Sequence, residues 1–82
     1  MAEPTAIVVP HSGVVEVFLL IEWLKRAGEQ VVEGEEVVVI ESEKATVALE
    51  APASGALEIL VDADPDSDVE VAVGATIGRI VP

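Results

Sequence analysis

A four-residue pattern occurs twice in this chain and limits the folds that the chain can adopt. Pro10-His11-Ser12-Gly13 returns 42 positions later as Pro52-Ala53-Ser54-Gly55. Such a repeat predicts two copies of one β unit, forming two sheets related by a pseudo-twofold axis. Chance similarity among valine-rich segments is the alternative. Other residues match at an offset of 42 near the pattern and of 40 further along: Ile7 with Leu49, Val15 with Leu57, Val17 with Ile59, Val31 with Val71, Gly34 with Gly74, Val37 with Ile77 and Ile40 with Ile80.

Short apolar runs rich in valine and isoleucine, separated by turn residues, predict an all-β fold. A helix over residues 15–26 is the competing interpretation of the longest run. A strand is favoured there by the β-branched and aromatic content and by Gly28, which follows soon after. Residues 42–45 are expected to form a tight turn. We expect strands at residues 5–9, 14–24, 31–32, 37–41, 46–51, 56–61, 69–73 and 76–81.

The strongly acidic composition disfavours several classes of partner. The chain has 16 acidic and 4 basic residues, which gives a net charge of −12. Phosphate contacts require a basic patch, so nucleic acid is disfavoured, and an anionic membrane is disfavoured for the same reason. A positively charged protein partner is compatible with the charge. The simpler interpretation is that the acidic residues keep a small, monomeric domain soluble.

The length and the lack of cysteine predict one small domain without disulfide bonds or thiolate metal sites. A chain of 82 residues buries a modest core. With no cysteine, neither a disulfide nor a thiolate metal site can form. The first residues lack the basic and apolar segments of a signal peptide, and no apolar run is long enough to span a bilayer. These features predict a cytoplasmic location.

One lysine stands alone in an acidic stretch. Lys44 is the single basic residue from Ala27 to Gly78, and Glu41 and Glu43 precede it. A catalytic lysine needs burial or nearby cations, whereas this one has carboxylate neighbours on a turn expected to be solvated, so catalysis by the chain itself is disfavoured. An ordinary surface lysine paired with Glu41 or Glu43, and an attachment lysine presented on a hairpin, are both compatible with the residues.

The repeat predicts where this lysine lies. Lys44 falls where the first copy passes into the second, and the equivalent place in the second copy comes just after Pro82. A pseudo-twofold axis would therefore place the Lys44 turn and the chain termini at opposite, symmetry-related ends.

The segment around Lys44 resembles a known attachment motif. Val39-Ile40-Glu41-Ser42-Glu43-Lys44-Ala45-Thr46-Val47, followed by Ala51-Pro52-Ala53-Ser54-Gly55, is similar to the Glu-Thr-Asp-Lys-Ala, Val and Pro-x-x-Gly pattern of the lipoyl domains of 2-oxo-acid dehydrogenase complexes, within the biotinyl/lipoyl carrier family. The resemblance extends over residues 7–80. It implies a flattened barrel or sandwich of two four-stranded antiparallel sheets, a barrel-sandwich hybrid. Further matches upstream are Val9-Pro10, Gly13, Ile21, Trp23, Gly28, Val31 and Gly34.

The resemblance implies a carrier without catalytic residues of its own. Lipoic acid would be joined covalently to Lys44 by a lipoate ligase or lipoyltransferase, with Glu41, Ser42, Glu43 and Ala45 as recognition residues. The arm would visit a thiamine-diphosphate 2-oxo-acid decarboxylase, the acyltransferase core and dihydrolipoamide dehydrogenase. Residues 10–17, which lie close to the lipoyl-lysine in the family, would contact the decarboxylase. Residues 1–82 would form a single lipoyl-type carrier domain, free or excised from a component such as a dihydrolipoamide acyltransferase.

Departures from the family pattern leave related carriers open. Glu43 stands where the lipoyl family usually has Asp, and a Glu-Ser-x-Lys-Ala run also resembles the glycine-cleavage carrier, which is a longer chain. Biotin carriers have methionine on both sides of the lysine, where this chain has Glu43 and Ala45. A β binding module that carries no modification is the alternative from a different class.

Alternating aspartates at residues 62–68 resemble the start of a calcium-binding loop. The glycine required at the sixth position is replaced by Ser67, and the glutamate required at the twelfth is replaced by Val73. A solvated loop is therefore expected, no metal site is predicted, and calcium binding is the alternative. Trp23 is expected to pack in or beside the core. His11 is expected to be exposed, with a partner contact beside Lys44 as its alternative.

Overall fold

The computed structural model describes residues 3–11 and 13–82, and the described part of the chain is all β. It contains no helix, and therefore none that could cross a membrane. The helix considered for residues 15–26 is wrong, and a strand lies there instead. Eight strands follow one another: β1 Thr5–Val8, β2 Val17–Trp23, β3 Gln30–Val31, β4 Glu36–Glu41, β5 Thr46–Glu50, β6 Gly55–Ile59, β7 Glu70–Ala72 and β8 Thr76–Val81.

All eight predicted strands are present, with differences at their ends. The largest difference is in β2, which begins at Val17 rather than at residue 14. The residues before it form a connection with a turn at Gly13, whose φ of 59° suits glycine. Ser12, part of the predicted turn, lies outside the described residues. The tight turn predicted at residues 42–45 joins β4 to β5, as expected.

Two four-stranded antiparallel sheets make up the fold. The first sheet has the order β1-β8-β6-β3 and the second has the order β5-β4-β2-β7. Adding four to each strand number of the first half, and subtracting four in the second, converts one order into the other. The predicted sandwich of two sheets with pseudo-twofold symmetry is therefore confirmed, and the sheets do not close into a barrel. Each sheet takes two strands from each half of the chain.

Each strand of the first half has an equivalent strand in the second half. Three of these four equivalences keep the offset that the repeat predicted: β1 with β5, β3 with β7 and β4 with β8. Ile7 on β1 faces Gly78 on β8, and Leu49 on β5 faces Val38 on β4. These contacts correspond at offsets of 42 and 40, as the sequence predicted.

The turns follow the same offsets of 40 and 42. The amide of Gly34 donates to the carbonyl of Ala51 at 2.9 Å, and the amide of Gly74 donates to the carbonyl of Val9 at 2.8 Å. Both glycines have positive φ, 91° and 84°, which other residues rarely adopt.

The predicted correspondence between β2 and β6 is wrong. Val31 and Val71 are equivalent positions. Val71 pairs with Phe18 and Val31 pairs with Gly55, so Phe18 is the counterpart of Gly55. Val15 and Val17 are therefore not the counterparts of Leu57 and Ile59, and Gly13 is not the counterpart of Gly55.

A longer connection in the first half explains the error. Val9 and Ala51 are equivalent in the turns, yet nine positions separate Val9 from Phe18 and four separate Ala51 from Gly55. The connection between β1 and β2 thus contains five extra residues. Its Pro-x-Ser-Gly sequence matches that of the shorter connection without sharing its place in the fold.

The core lies between the two sheets and is entirely apolar. No polar or charged side chain among the described residues is buried. Burial of this apolar surface is the main favourable term in folding. The buried residues come from both halves of the chain: Ile7, Val9, Phe18, Leu20, Val31, Val37, Val38, Ile40, Ala51, Leu57, Val71, Ile77 and Ile80.

Trp23 contacts both sheets, and its predicted packing role is confirmed. Its half-buried indole lies on β2 of the second sheet, and its Nε1 donates to the carbonyl of Val61 at 2.9 Å. A Cβ placed on Gly78, in β8 of the first sheet, would lie 2.8 Å from Trp23 Cη2 and 2.9 Å from the carbonyl oxygen of Glu58. Glycine at this position is therefore what lets the indole pack against the strand.

Candidate functional site

Lys44 lies at the tip of the β4–β5 hairpin. The last residue pair of the hairpin is Glu41 with Thr46, so four residues form the tip. Ile40, next to Glu41, is fully buried and fixes the end of β4 in the core. The tip has no glycine, and none of the described residues other than glycine has positive φ. The tip must therefore satisfy its backbone amides without the turns that require glycine.

The side chain of Ser42 supplies those hydrogen bonds. Its Oγ accepts from the amide of Lys44 and from the amide of Ala45, each at 3.3 Å, and donates to the carbonyl of Ala45 at 3.4 Å. The amide of Ser42 donates to the same carbonyl at 2.8 Å. Serine and threonine hydroxyls commonly hold turns in this way, by accepting from amides two and three residues ahead.

The side chain of Lys44 is exposed and makes no ion pair with the described carboxylates. The pairing with Glu41 or Glu43 expected of an ordinary surface lysine is therefore not formed. Lys25, the other lysine, is held 2.9 Å from Glu35 and 4.0 Å from Glu29.

The ion pair of Lys25 shifts the pKa of both of its partners. Its hydrogen bond with Glu35 raises the pKa of Lys25 above its ordinary value. The amide of Val32, and then Lys25, lower the pKa of the Glu35 carboxyl. The two lysines of the chain thus differ in surroundings, because Lys25 is paired with a carboxylate and Lys44 is presented at a hairpin tip.

A shallow groove runs beside the hairpin tip. One side is formed by Glu41, Ser42, Glu43 and Lys44, and the other by residues 14–17 and the start of β2. Val14 is 83% exposed and Val17 is 44% exposed. The connection between β1 and β2 therefore places apolar side chains next to the lysine.

The rim of the groove is acidic. Glu16, Asp68 and Glu70 line it together with Glu41 and Glu43. The resemblance had placed residues 10–17, and with them Glu16, close to Lys44, but no pattern placed Asp68 and Glu70 there, because they come from a distant segment. The charge of the chain was the one signal available, and it does not tell which carboxylates meet.

Of the predicted recognition residues, three line the groove and one does not. Glu41, Ser42 and Glu43 are on its wall, whereas Ala45 is exposed at the tip outside it. His11 is exposed, as expected. Its Nε2 lies 3.9 Å from the place of a Cβ on Gly74, at the turn between β7 and β8, and His11 is not a lining residue of the groove.

The acidic loop of residues 62–68 is closed by its own side chains. Asp64 pairs with Ser67, and its two carboxylate oxygens accept from the amide of Asp66 at 2.9 Å and from Ser67 Oγ at 3.0 Å. Within the described residues, no three His, Asp or Glu side chains gather in a way that could hold a metal ion.

Comparison with known families decides what kind of domain this is. A family model described as "Biotin-requiring enzyme", that of the biotin/lipoyl attachment domain, matches residues 5–80. The chain belongs to the biotin/lipoyl attachment family. Its domains are non-catalytic carriers that hold biotin or lipoate on a lysine and work with ligases and with enzymes of multienzyme complexes. No curated protein matches the chain.

The geometry fits a lysine-linked group. Attachment requires an amine that another enzyme can reach, and the Lys44 side chain is exposed at the hairpin tip. The valines across the groove offer an apolar surface near the attachment point. Lys25 fits less well, because Glu35 occupies its amine.

Proposed function

We propose that this chain is a lipoyl carrier domain and that Lys44 is its attachment residue. The observation that carries the proposal is an exposed lysine without an ion pair at the tip of a hairpin, in a family whose domains hold their cofactor on a lysine. The chain has one other lysine, Lys25, and that residue is engaged by Glu35.

The residues beside Lys44 favour lipoate over biotin. Glu43 and Ala45 flank the lysine where the biotin carriers described above have methionines. The run Ile40-Glu41-Ser42-Glu43-Lys44-Ala45 supports a lipoyl domain of a 2-oxo-acid dehydrogenase complex, with the glycine-cleavage carrier as the related alternative.

The attachment step needs little from the chain beyond a presented nucleophile. The Lys44 Nζ, once deprotonated, attacks the acyl carbon of an activated lipoate, an amide forms, and the bond from that carbon to the leaving group breaks. The ammonium loses one proton and its positive charge before the attack, a second proton leaves the nitrogen as the amide forms, and the leaving group departs with the bonding electron pair. Ile40 anchors the hairpin in the core, and Ser42 closes its tip by hydrogen bonds, so the side chain of Lys44 projects from a hydrogen-bonded turn.

The attached dithiolane would carry acyl groups and electrons, and the domain would move it from one active site to the next. Tethering one group to a mobile domain raises its effective concentration at each active site that it visits. We propose the partners implied by the resemblance: lipoate ligase or lipoyltransferase, the thiamine-diphosphate decarboxylase, the acyltransferase core and dihydrolipoamide dehydrogenase. Residues 1–82 would act as one carrier domain, and a cytoplasmic location stays a prediction.

Mass spectrometry of ligase reactions tests the proposal. The domain is incubated with lipoate ligase, lipoate and ATP, and in parallel with biotin ligase, biotin and ATP. We expect one lipoyl group on the wild-type chain and on the Lys25→Arg variant, and none on Lys44→Arg. The two arginine variants form a matched pair, since each removes one of the two lysines.

Each other outcome has a definite meaning. Biotin in place of lipoate would make the chain a biotin carrier. A gain in mass that survives Lys44→Arg would overturn the assignment of Lys44. No gain with either ligase would favour the β binding module that carries no modification.

A further inference from the structure

We infer that Ser42 is a positioning residue for the reaction at Lys44, acting through the hairpin tip and not through contact with the modifying enzyme. This inference rests on the proposed function. It assigns to Ser42 a role in the free domain, before any partner binds.

The hydrogen bonds of the tip carry the inference. Every side-chain hydrogen bond in the tip involves Ser42 Oγ, which accepts from the amides of Lys44 and Ala45. These amides lie beyond the last strand pair, Glu41 with Thr46. Without the hydroxyl, both amides would donate to water instead, and the tip would adopt additional backbone conformations.

The burial of Ser42 supports an internal role. It is half-buried, whereas Glu43, Lys44 and Ala45 around it are exposed. A residue that mainly meets a partner would project outward, but the hydroxyl of Ser42 points back into the tip, where it meets its own backbone.

The expected effect is a loss of pre-organisation. An amine on a fixed backbone meets an acyl donor in fewer orientations than one on a mobile loop, so fixing the tip accelerates the reaction. Removal of the hydroxyl is expected to lower kcat/KM for acylation of Lys44 about three- to tenfold, mainly in kcat.

Two variants of nearly equal shape isolate the hydroxyl. Ser42→Thr keeps it, and Ser42→Val replaces it with a methyl group. Ser54→Ala is the matched control, because Ser54 Oγ also caps an amide, that of Glu33 at 3.0 Å, in another turn of the fold. We expect Ser42→Val to show the loss, and Ser42→Thr and Ser54→Ala to react like the wild type.

Amide hydrogen exchange in the unmodified domain gives a second measurement that needs no ligase. Exchange at Lys44 and Ala45 is expected to be faster in Ser42→Val and unchanged in Ser42→Thr. Unchanged exchange in Ser42→Val, or equal losses of activity in the valine and threonine variants, would overturn the inference. If no ligase acylates the wild type, the proposed function fails, while the exchange experiment still decides whether Ser42 holds the tip.

Discussion

At the scale of single residues, the two lysines show how environment separates groups of the same type. Lys44 is exposed at a hairpin tip, and Lys25 donates to Glu35 at 2.9 Å. Sequence patterns singled out Lys44 because it stands alone among acidic residues. They did not pair Lys25 with Glu35, ten positions away, because that contact depends on how two turns meet in space. Ser42 begins the predicted turn and is a residue type that often holds turns, but the pattern does not tell which amides its hydroxyl meets.

The hydrogen bond from the Val32 amide to Glu35, together with the Lys25–Glu35 pair, predicts a pH dependence of stability. The pKa of Glu35 is below its ordinary value of 4.5, so its contribution is present above pH 4.5 and is lost as the pH falls through the lower, folded value. The pKa of Lys25 is above 10.5, so its contribution is present below that pH and is lost as the pH rises further. The stabilisation should therefore extend over the whole range between the two values.

Urea unfolding of Glu35→Gln and of the wild type at several pH values measures this effect. We expect the glutamine variant to be less stable near neutral pH and the difference to shrink at both extremes. Glu36→Gln is the control, since Glu36 is a neighbouring exposed carboxylate outside the pair. A constant difference between Glu35→Gln and the wild type at all pH values would contradict the prediction.

At the scale of elements, the strands could be predicted and the connections could not. Runs of valine and isoleucine identify strands wherever they pack on the same core. Connection lengths are free to differ, and β1–β2 gained five residues without disturbing the strands that it joins. The repeated Pro-x-Ser-Gly misled the alignment of β2 with β6, because its glycine adopts a different conformation in each copy. The glycine has φ 59° in the first copy and φ 154° in the second, where it begins a strand.

The pseudo-symmetry predicts that the acidic loop can be shortened. Leu24 and Val61 are equivalent because their amides donate to the equivalent carbonyls of Val37 and Ile77. Four residues, 25–28, connect the first position to Glu29, and seven, 62–68, connect the second to Val69. The shorter connection spans the same strand ends, so it should serve in place of the longer one.

Replacement of residues 62–68 by Ser-Ser-Ala-Gly tests this prediction. The inserted tetrapeptide copies residues 25–28 with the two basic residues changed to serine, so that no positive charge is added. We expect cooperative urea unfolding and a change in stability within about 1 kcal/mol, because closure entropy varies slowly with loop length. Loss of cooperative unfolding would show that the acidic loop is required for the fold. A calcium titration of the wild type, expected to leave its spectra unchanged, tests the alternative for the same loop.

At the scale of the whole molecule, two sheets are held together by an apolar core and by the contact between Trp23 and Gly78. The sandwich followed from the repeat, because two copies of a β unit must cover each other's apolar faces. The approach of Trp23 to Gly78 could not be predicted, since a glycine within a strand pattern gives no hint of which side chain covers it. The groove was predicted in part, since the resemblance placed residues 10–17 near Lys44, whereas Asp68 and Glu70 come from a segment that no pattern linked to the lysine.

The contact between Trp23 and Gly78 predicts a large effect from one methyl group. The φ of Gly78 is not in the left-handed region, so alanine there is strained only by its contacts. Its Cβ would overlap Trp23 Cη2 and the carbonyl of Glu58, and overpacking of this kind costs about 1–3 kcal/mol. Urea unfolding of Gly78→Ala measures the loss.

A double-mutant cycle identifies its source. In the Trp23→Phe background the ring is smaller, so Gly78→Ala should cost less there than in the wild type. Equal costs in both backgrounds would show that the backbone of Glu58, and not the indole, restricts residue 78.

The exchange of strands between the two halves has a consequence for ancestry. Each half contributes two strands to each sheet, so neither half could enclose a core by itself. A half-length ancestor would have been stable only as an intertwined pair of identical chains. Fusion of two such genes would have joined the end of one chain to the start of the next at the place that is now the tip between β4 and β5. The lysine proposed to carry the cargo would then stand on the seam of that fusion.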